Sequence, residues 1–151
     1  MSVIIRSSFV LIFLAGSWGY ADETLPDNSA PTGVWEVVEA TECGLTASPE
    51  ECRKLHVTFT FTKDRMFMTR AGIRENLEFT FTADSTRNPG WLDLIPSDGP
   101  FKGKKHLSVY EYRKNDLKLC IPKRPVEERP AKVESPRGSI LNLYVLKRLS
   151  Q

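Results

Sequence analysis

The chain predicts an all-β fold, an antiparallel up-and-down barrel of about eight strands. Three observations predict it. Apolar and polar residues alternate with period two through most of the chain between Gly33 and Leu149. No convincing apolar period of a helix interrupts that alternation. Gly33-Val34-Trp35 opens the pattern and Val145-Leu146-Lys147-Arg148 closes it. A closed barrel can use such a tryptophan and arginine to plug one end, because a guanidinium stacks on an indole face without leaving a buried unpaired charge.

Residues 1–21 read as a secretory signal peptide. Arg6 supplies the charge, Phe9 to Ala15 the short apolar core, and Gly19-Tyr20-Ala21 the small residues of a cleavage site. The apolar run falls well short of the ~20 residues that span a bilayer. No cysteine adjoins the cleavage site, which argues against lipid attachment there. The mature chain would begin at Asp22, be secreted or periplasmic, and carry no transmembrane segment. Residues 22–32 are polar with two prolines and form a flexible lead-in. Residues 33–151 form the barrel domain.

The first strand runs from about Val34 to Thr41. Leu55, Val57, Phe59 and Phe61 then alternate with His56, Thr58, Thr60 and Thr62, which is a half-buried strand. Lys63-Asp64-Arg65 turns the chain into Met66-Phe67-Met68-Thr69. Gly72 breaks the pattern before Leu77, Phe79 and Phe81 repeat it against Glu78, Thr80 and Thr82. A short strand follows at Trp91 to Ile95. His106 to Arg113 and Leu117 to Ile121 make a hairpin around Lys114-Asn115-Asp116. Four prolines keep Pro122 to Gly138 irregular, and the last strand covers Ser139 to Leu149. That is the number of strands at which an up-and-down sheet closes and loses its exposed edges.

With 21 basic and 19 acidic side chains the net charge is +2. Such a balance gives no global field for capturing nucleic acid or for steering toward anionic membranes. A monomer is expected. Local basic clusters at Lys102, Lys104, Lys105 and at Lys114, Lys118, Lys123, Arg124 read as a solvated loop rim. Cys43 and Cys52 bracket an eight-residue loop containing Gly44 and Pro49. An oxidising compartment favours bridging them, which would contribute ~2–3 kcal/mol. Cys120 sits in an apolar strand as a packing thiol, although pairing with either loop cysteine stays open.

Asn88-Pro89-Gly90-Trp91-Leu92-Asp93-Leu94, Val109-Tyr110-Glu111-Tyr112, Asn115-Asp116-Leu117-Lys118-Leu119-Cys120, Glu128-Arg129-Pro130 and Val145-Leu146-Lys147-Arg148 occur in that order. Together with Gly33-Val34-Trp35 they resemble a family of small lipocalin-like domains of Planctomycetes, whose members are mostly uncharacterised. The resemblance spans Gly33 to Leu149. It departs at Leu92, where the family prefers isoleucine, in the insertion-like Pro100 to Lys105, and in the cysteine pair of the first loop. It implies a lipocalin-like, calycin-type barrel in which Trp35 packs under the floor against Arg148. It also implies a structural role for Asp93, bonded to a loop backbone or to Arg129. No general activity comes with it.

The apolar faces supply the candidate ligand site: Phe59, Phe61, Leu77, Phe79 and Phe81, with Met66 and Met68 nearby. They either fill the barrel with their own side chains or line a cavity for an acyl chain or similar hydrophobe. Metal binding and catalysis find little support. His56 and His106 stand far apart without a ligand partner at useful spacing, and no Gly-x-Ser-x-Gly turn is present. The expected function is therefore binding of a small hydrophobic or amphipathic ligand, with no cofactor, no metal and no enzymatic activity. The alternative is an interaction module or inhibitor working through loops at one end of a filled barrel.

Overall fold

The computed structural model describes residues 29–73, 76–113 and 115–149. The expected signal peptide and most of the lead-in lie outside the described residues. Strands β1 (Gly33–Glu42), β2 (Leu45–Thr46), β3 (Thr58–Phe61), β4 (Arg65–Thr69), β5 (Leu77–Asp84), β6 (Gly90–Pro96), β7 (His106–Arg113), β8 (Asp116–Pro122) and β9 (Leu141–Arg148) are joined by one helix, α1 (Pro49–Leu55). From β3 onward each strand pairs antiparallel with the next, and β1 pairs with both β3 and β9. Eight strands thus close into a barrel, while the two-residue β2 hangs as a flap on the end of β1.

Closure follows from the period-two pattern. Phe59, Phe61, Met66, Phe81, Leu92, Leu94, Tyr110, Leu117, Leu119 and Leu146 all point inward and form one core with Trp35. The registers Trp35↔Arg148 and Gly33↔Phe61 define a floor, and the opposite ends of the strands define a mouth. At the floor the Arg148 guanidinium lies 4.5 Å from the Trp35 ring centroid. Tyr112 meets the same indole edge-on at 5.5 Å and accepts a hydrogen bond from Arg148. Gly33 suits this position because its φ is +91°, and the end of the Arg148 side chain packs 2.9 Å from where a Cβ would stand.

One bulge shapes the first strand. Val37 pairs with Leu146 but Glu39 pairs with Val145, so Val38 is an extra residue on β1. Trp35 and Val37 face in, Val38 is turned out, and Ala40 regains the inward face. Strict alternation would have turned Ala40 outward.

The helix was not expected. Residues 43–52 read as a loop, and Leu55 as the start of a strand, whereas Pro49–Leu55 are helical and the strand begins at Thr58. The Ser48 side chain accepts from Glu51 N while the Glu51 carboxylate accepts from Ser48 N, a reciprocal capping box with Pro49 in the first turn. His56 ends the helix in a left-handed conformation at φ 39°. A helix this short needs tertiary support, and Cys52 packs inward beneath it.

The expected disulfide is corrected as well. Cys43, Cys52 and Cys120 are all free thiols. Helix formation carries Cys52 into the middle of α1, while Cys43 takes a left-handed φ of 51° and faces Asn142 Oδ1 at 3.9 Å. Cys120 is fully buried and donates to the Glu134 carbonyl at 3.3 Å, and burial pushes its pKa up to about 11.

The long connection between β8 and β9 is a strap over the outer wall. Val109 and Cys120 face away from the core yet are wholly buried beneath it. Arg129 fastens the strap, bonding Asp93 Oδ1 on β6 and donating to the Ser108 carbonyl at 2.6 Å. Its guanidinium also lies 4.6 Å from the Trp91 ring centroid, and Lys105 reaches Asp93 Oδ2 at 2.9 Å.

Candidate functional site

The barrel interior divides into two halves. The floor half is filled. Phe59 and Phe61 stack at 6.5 Å, Phe61 meets Phe81 edge-on at 5.6 Å, and Met66 is buried among them. These rings are close enough to exclude a guest, because each fills the space beside its neighbour.

Toward the mouth, the side of the barrel beside α1 is open. A cavity of about 740 Å³ opens there, within the range of small-molecule sites. Val37 and Ala40 from β1, Leu55 and Cys52 from α1, Val57 before β3, Met68 from β4 and Tyr144 from β9 give it an apolar wall. Glu42, Glu51, Lys54, Arg70 and Lys123 stand at its polar rim, with Leu45 on the β2 flap beside them. The helix is thus one wall of the site. It gains that position from the Ser48 cap and from the Ala71 N–H, which donates to the Leu55 carbonyl at 3.0 Å and ties the β4–β5 turn to the helix end.

Of the seven side chains expected to bind ligand, only Met68 lines this cavity. Phe59, Phe61, Met66 and Phe81 belong to the filled floor half, and Phe79 packs against that core. Leu77 lies on the lip of the barrel and is half exposed. The structural pairs singled out in sequence do meet: Arg148 on Trp35 and Arg129 on Asp93. Sequence reading missed Ala40, Tyr144 and the helix. The signal for the helix was present as Ser48-Pro49-Glu50-Glu51, a capping box with a first-turn proline.

Tyr144 is the polar group best placed to orient a guest. Its ring lies 5.4 Å from Phe59, and its hydroxyl accepts from Asn142 Nδ2 at 3.4 Å. Burial first, then the nearby Glu42 carboxylate, pushes its pKa up to about 12. The hydroxyl therefore stays protonated at any physiological pH and presents an O–H donor in apolar surroundings. At the rim, Lys54 is paired with Glu50 at 2.9 Å and Glu51 is engaged in the helix cap. Arg70 and Lys123 make no ion pair among the described residues.

Neither histidine borders the cavity. His56 is exposed with Nδ1 3.0 Å from Glu36, and His106 is buried with Nδ1 3.0 Å from the Pro122 carbonyl. Among the described residues, no three His, Cys, Asp or Glu side chains converge as metal ligands, and no helix is long and apolar enough to cross a membrane. No family model, curated protein or solved structure matches this chain.

Proposed function

We propose that this protein is an exported, monomeric, lipocalin-like barrel that binds a small hydrophobic or amphipathic ligand at its mouth. One observation carries the reading: a cavity of about 740 Å³ with an apolar wall and a polar rim, above a floor already filled by aromatic rings. Apolar burial against Val37, Ala40, Val57, Met68 and Leu55 supplies affinity, and the Tyr144 hydroxyl with the rim cations fixes orientation. The role is binding rather than catalysis, since the polar groups are spread around the rim and neither histidine joins them. Export rests on the leader-like residues 1–21, and membership of the Planctomycetes lipocalin-like domains rests on the ordered motifs from Gly33 to Leu149.

A fluorescent fatty-acid or naphthalene-sulfonate probe tests the reading. It should bind the native protein and be displaced by natural hydrophobes. Ala40→Trp projects an indole into the cavity, so it should abolish probe binding while costing under ~1 kcal/mol of stability, because it adds bulk where there is room. Absence of native probe binding would leave the mouth loops as a protein-interaction surface instead.

A further inference from the structure

Among the described residues, the three most exposed large apolar side chains all stand at one end of the barrel. Leu45 is 65% exposed on the β2 flap, Ile73 52% in the β4–β5 turn, and Leu77 53% at the start of β5. Scattered single exposures are ordinary, but these three share the mouth end of the strands, where β4 ends and β5 begins. Leu45 borders the cavity itself, and the β4–β5 turn is hydrogen-bonded to the end of α1.

Charge follows the same polarity. The β6–β7 loop brings Lys102, Lys104 and Lys105 to the mouth, the start of the strap brings Lys123 and Arg124, and the end of β4 brings Arg70. Lys105 is engaged by Asp93, whereas Arg70, Lys102, Lys104, Lys123 and Arg124 make no ion pair among the described residues. At the floor, Arg87, Arg113 and Lys147 each sit beside an acid, Asp84, Glu111 and Asp116, and Lys63 of the floor turn makes no ion pair among the described residues. Of the acids near the mouth, Glu50 is engaged by Lys54, Glu51 by the helix cap and Asp98 by the Gly99 N–H at 2.7 Å. Glu127 and Glu128, just after Arg124 on the strap, make no ion pair among the described residues, nor does Glu42 beside the cavity.

We propose that the mouth docks onto an anionic lipid bilayer, with Leu45, Ile73 and Leu77 entering the headgroup layer and the surrounding lysines and arginines facing lipid phosphates. Separate apolar tips on hairpins suit shallow insertion better than a flat protein partner, which would call for one contiguous patch. Each basic side chain brought near an anionic surface strengthens attachment roughly fivefold, and salt weakens it. The orientation places the cavity opening against the membrane, where an amphipathic guest can pass without crossing water. This goes beyond ligand binding and stands on the rim alone.

Vesicle co-sedimentation tests it, with phosphatidylcholine alone against phosphatidylcholine mixed with phosphatidylglycerol, at low and high salt. The protein should sediment with the mixed vesicles only, and high salt should release it. Ile73→Ser and the double change Lys102→Glu, Lys104→Glu, made with the same N-terminus as the parent, should each weaken sedimentation at least ~5-fold, consistent with loss of one or more rim contacts. Lys63→Glu, in the floor turn, should not. Equal sedimentation with both vesicle types, none with either, or insensitivity to the rim changes would overturn the proposal. So would binding to an acidic polypeptide with no vesicle binding. Ala40→Trp separates the two readings: it should lose the probe but keep the vesicles.

Discussion

Asp93 shows how one side chain can hold a distant segment in place. It lies on an outward position of β6, where neighbours Leu92 and Leu94 face the core. Burial by itself would raise its pKa, but the Arg129 hydrogen bond and then Lys105 outweigh that and hold it below the ordinary carboxylate value. A folded-state pKa below the unfolded value means that the contribution is complete above the unfolded value of about 4 and fades as pH falls through the folded one. Unfolding free energy should therefore decline on acidification below about pH 4, and Asp93→Asn should flatten that decline. The same change should cost ~2–3 kcal/mol at neutral pH, because it leaves the largely buried Arg129 guanidinium without its anion. Denaturant titrations across pH measure both effects. A structural role for Asp93, on a loop backbone or on Arg129, was legible only through the resemblance of the ordered motifs. Lys105 was not, since a lysine in a glycine-rich loop gives no sign of which way it folds.

Helix α1 marks the limit of reading strands by alternation. Leu55 and Val57 carry the right parity to extend β3, and only the cap at Ser48 signals that the chain coils first. The bulge at Val38 hides Ala40 for a related reason: it is set by how β1 meets β9 near the end of the chain, not by neighbours in sequence. Both features build the cavity, so its location was the least legible part of the site. Ser48→Ala removes the bond to Glu51 N and should destabilise the helix by ~1 kcal/mol. Since seven residues cannot hold a helix alone, the loss should appear locally. Hydrogen exchange should accelerate across Pro49–Leu55 with little change in the barrel strands, and probe affinity should fall as that wall loosens. Faster exchange throughout the barrel would mean that α1 is instead integral to the global fold.

At the scale of the whole molecule, closing eight strands leaves an interior whose two ends are used differently. The phenylalanines that suggested a binding face in the sequence are large enough to fill the barrel where they meet, so the room lies where smaller side chains, Val37, Ala40 and Val57, stand. That division predicts opposite responses to substitution at two depths. Phe59 is fully buried between Phe61 and Tyr144, so Phe59→Ala should lower stability by ~3–5 kcal/mol, through lost burial and a void that the rigid strands cannot collapse. The void adjoins Tyr144, a wall of the cavity, so the variant that still folds should accept a longer or bulkier apolar probe than the parent. Ala40→Trp should do the reverse, keeping stability and losing the probe. Unfolding midpoints and probe titrations on the two variants decide the matter together. If Ala40→Trp proved as damaging as Phe59→Ala, the mouth would behave as packed core, and the barrel would have no room for a guest.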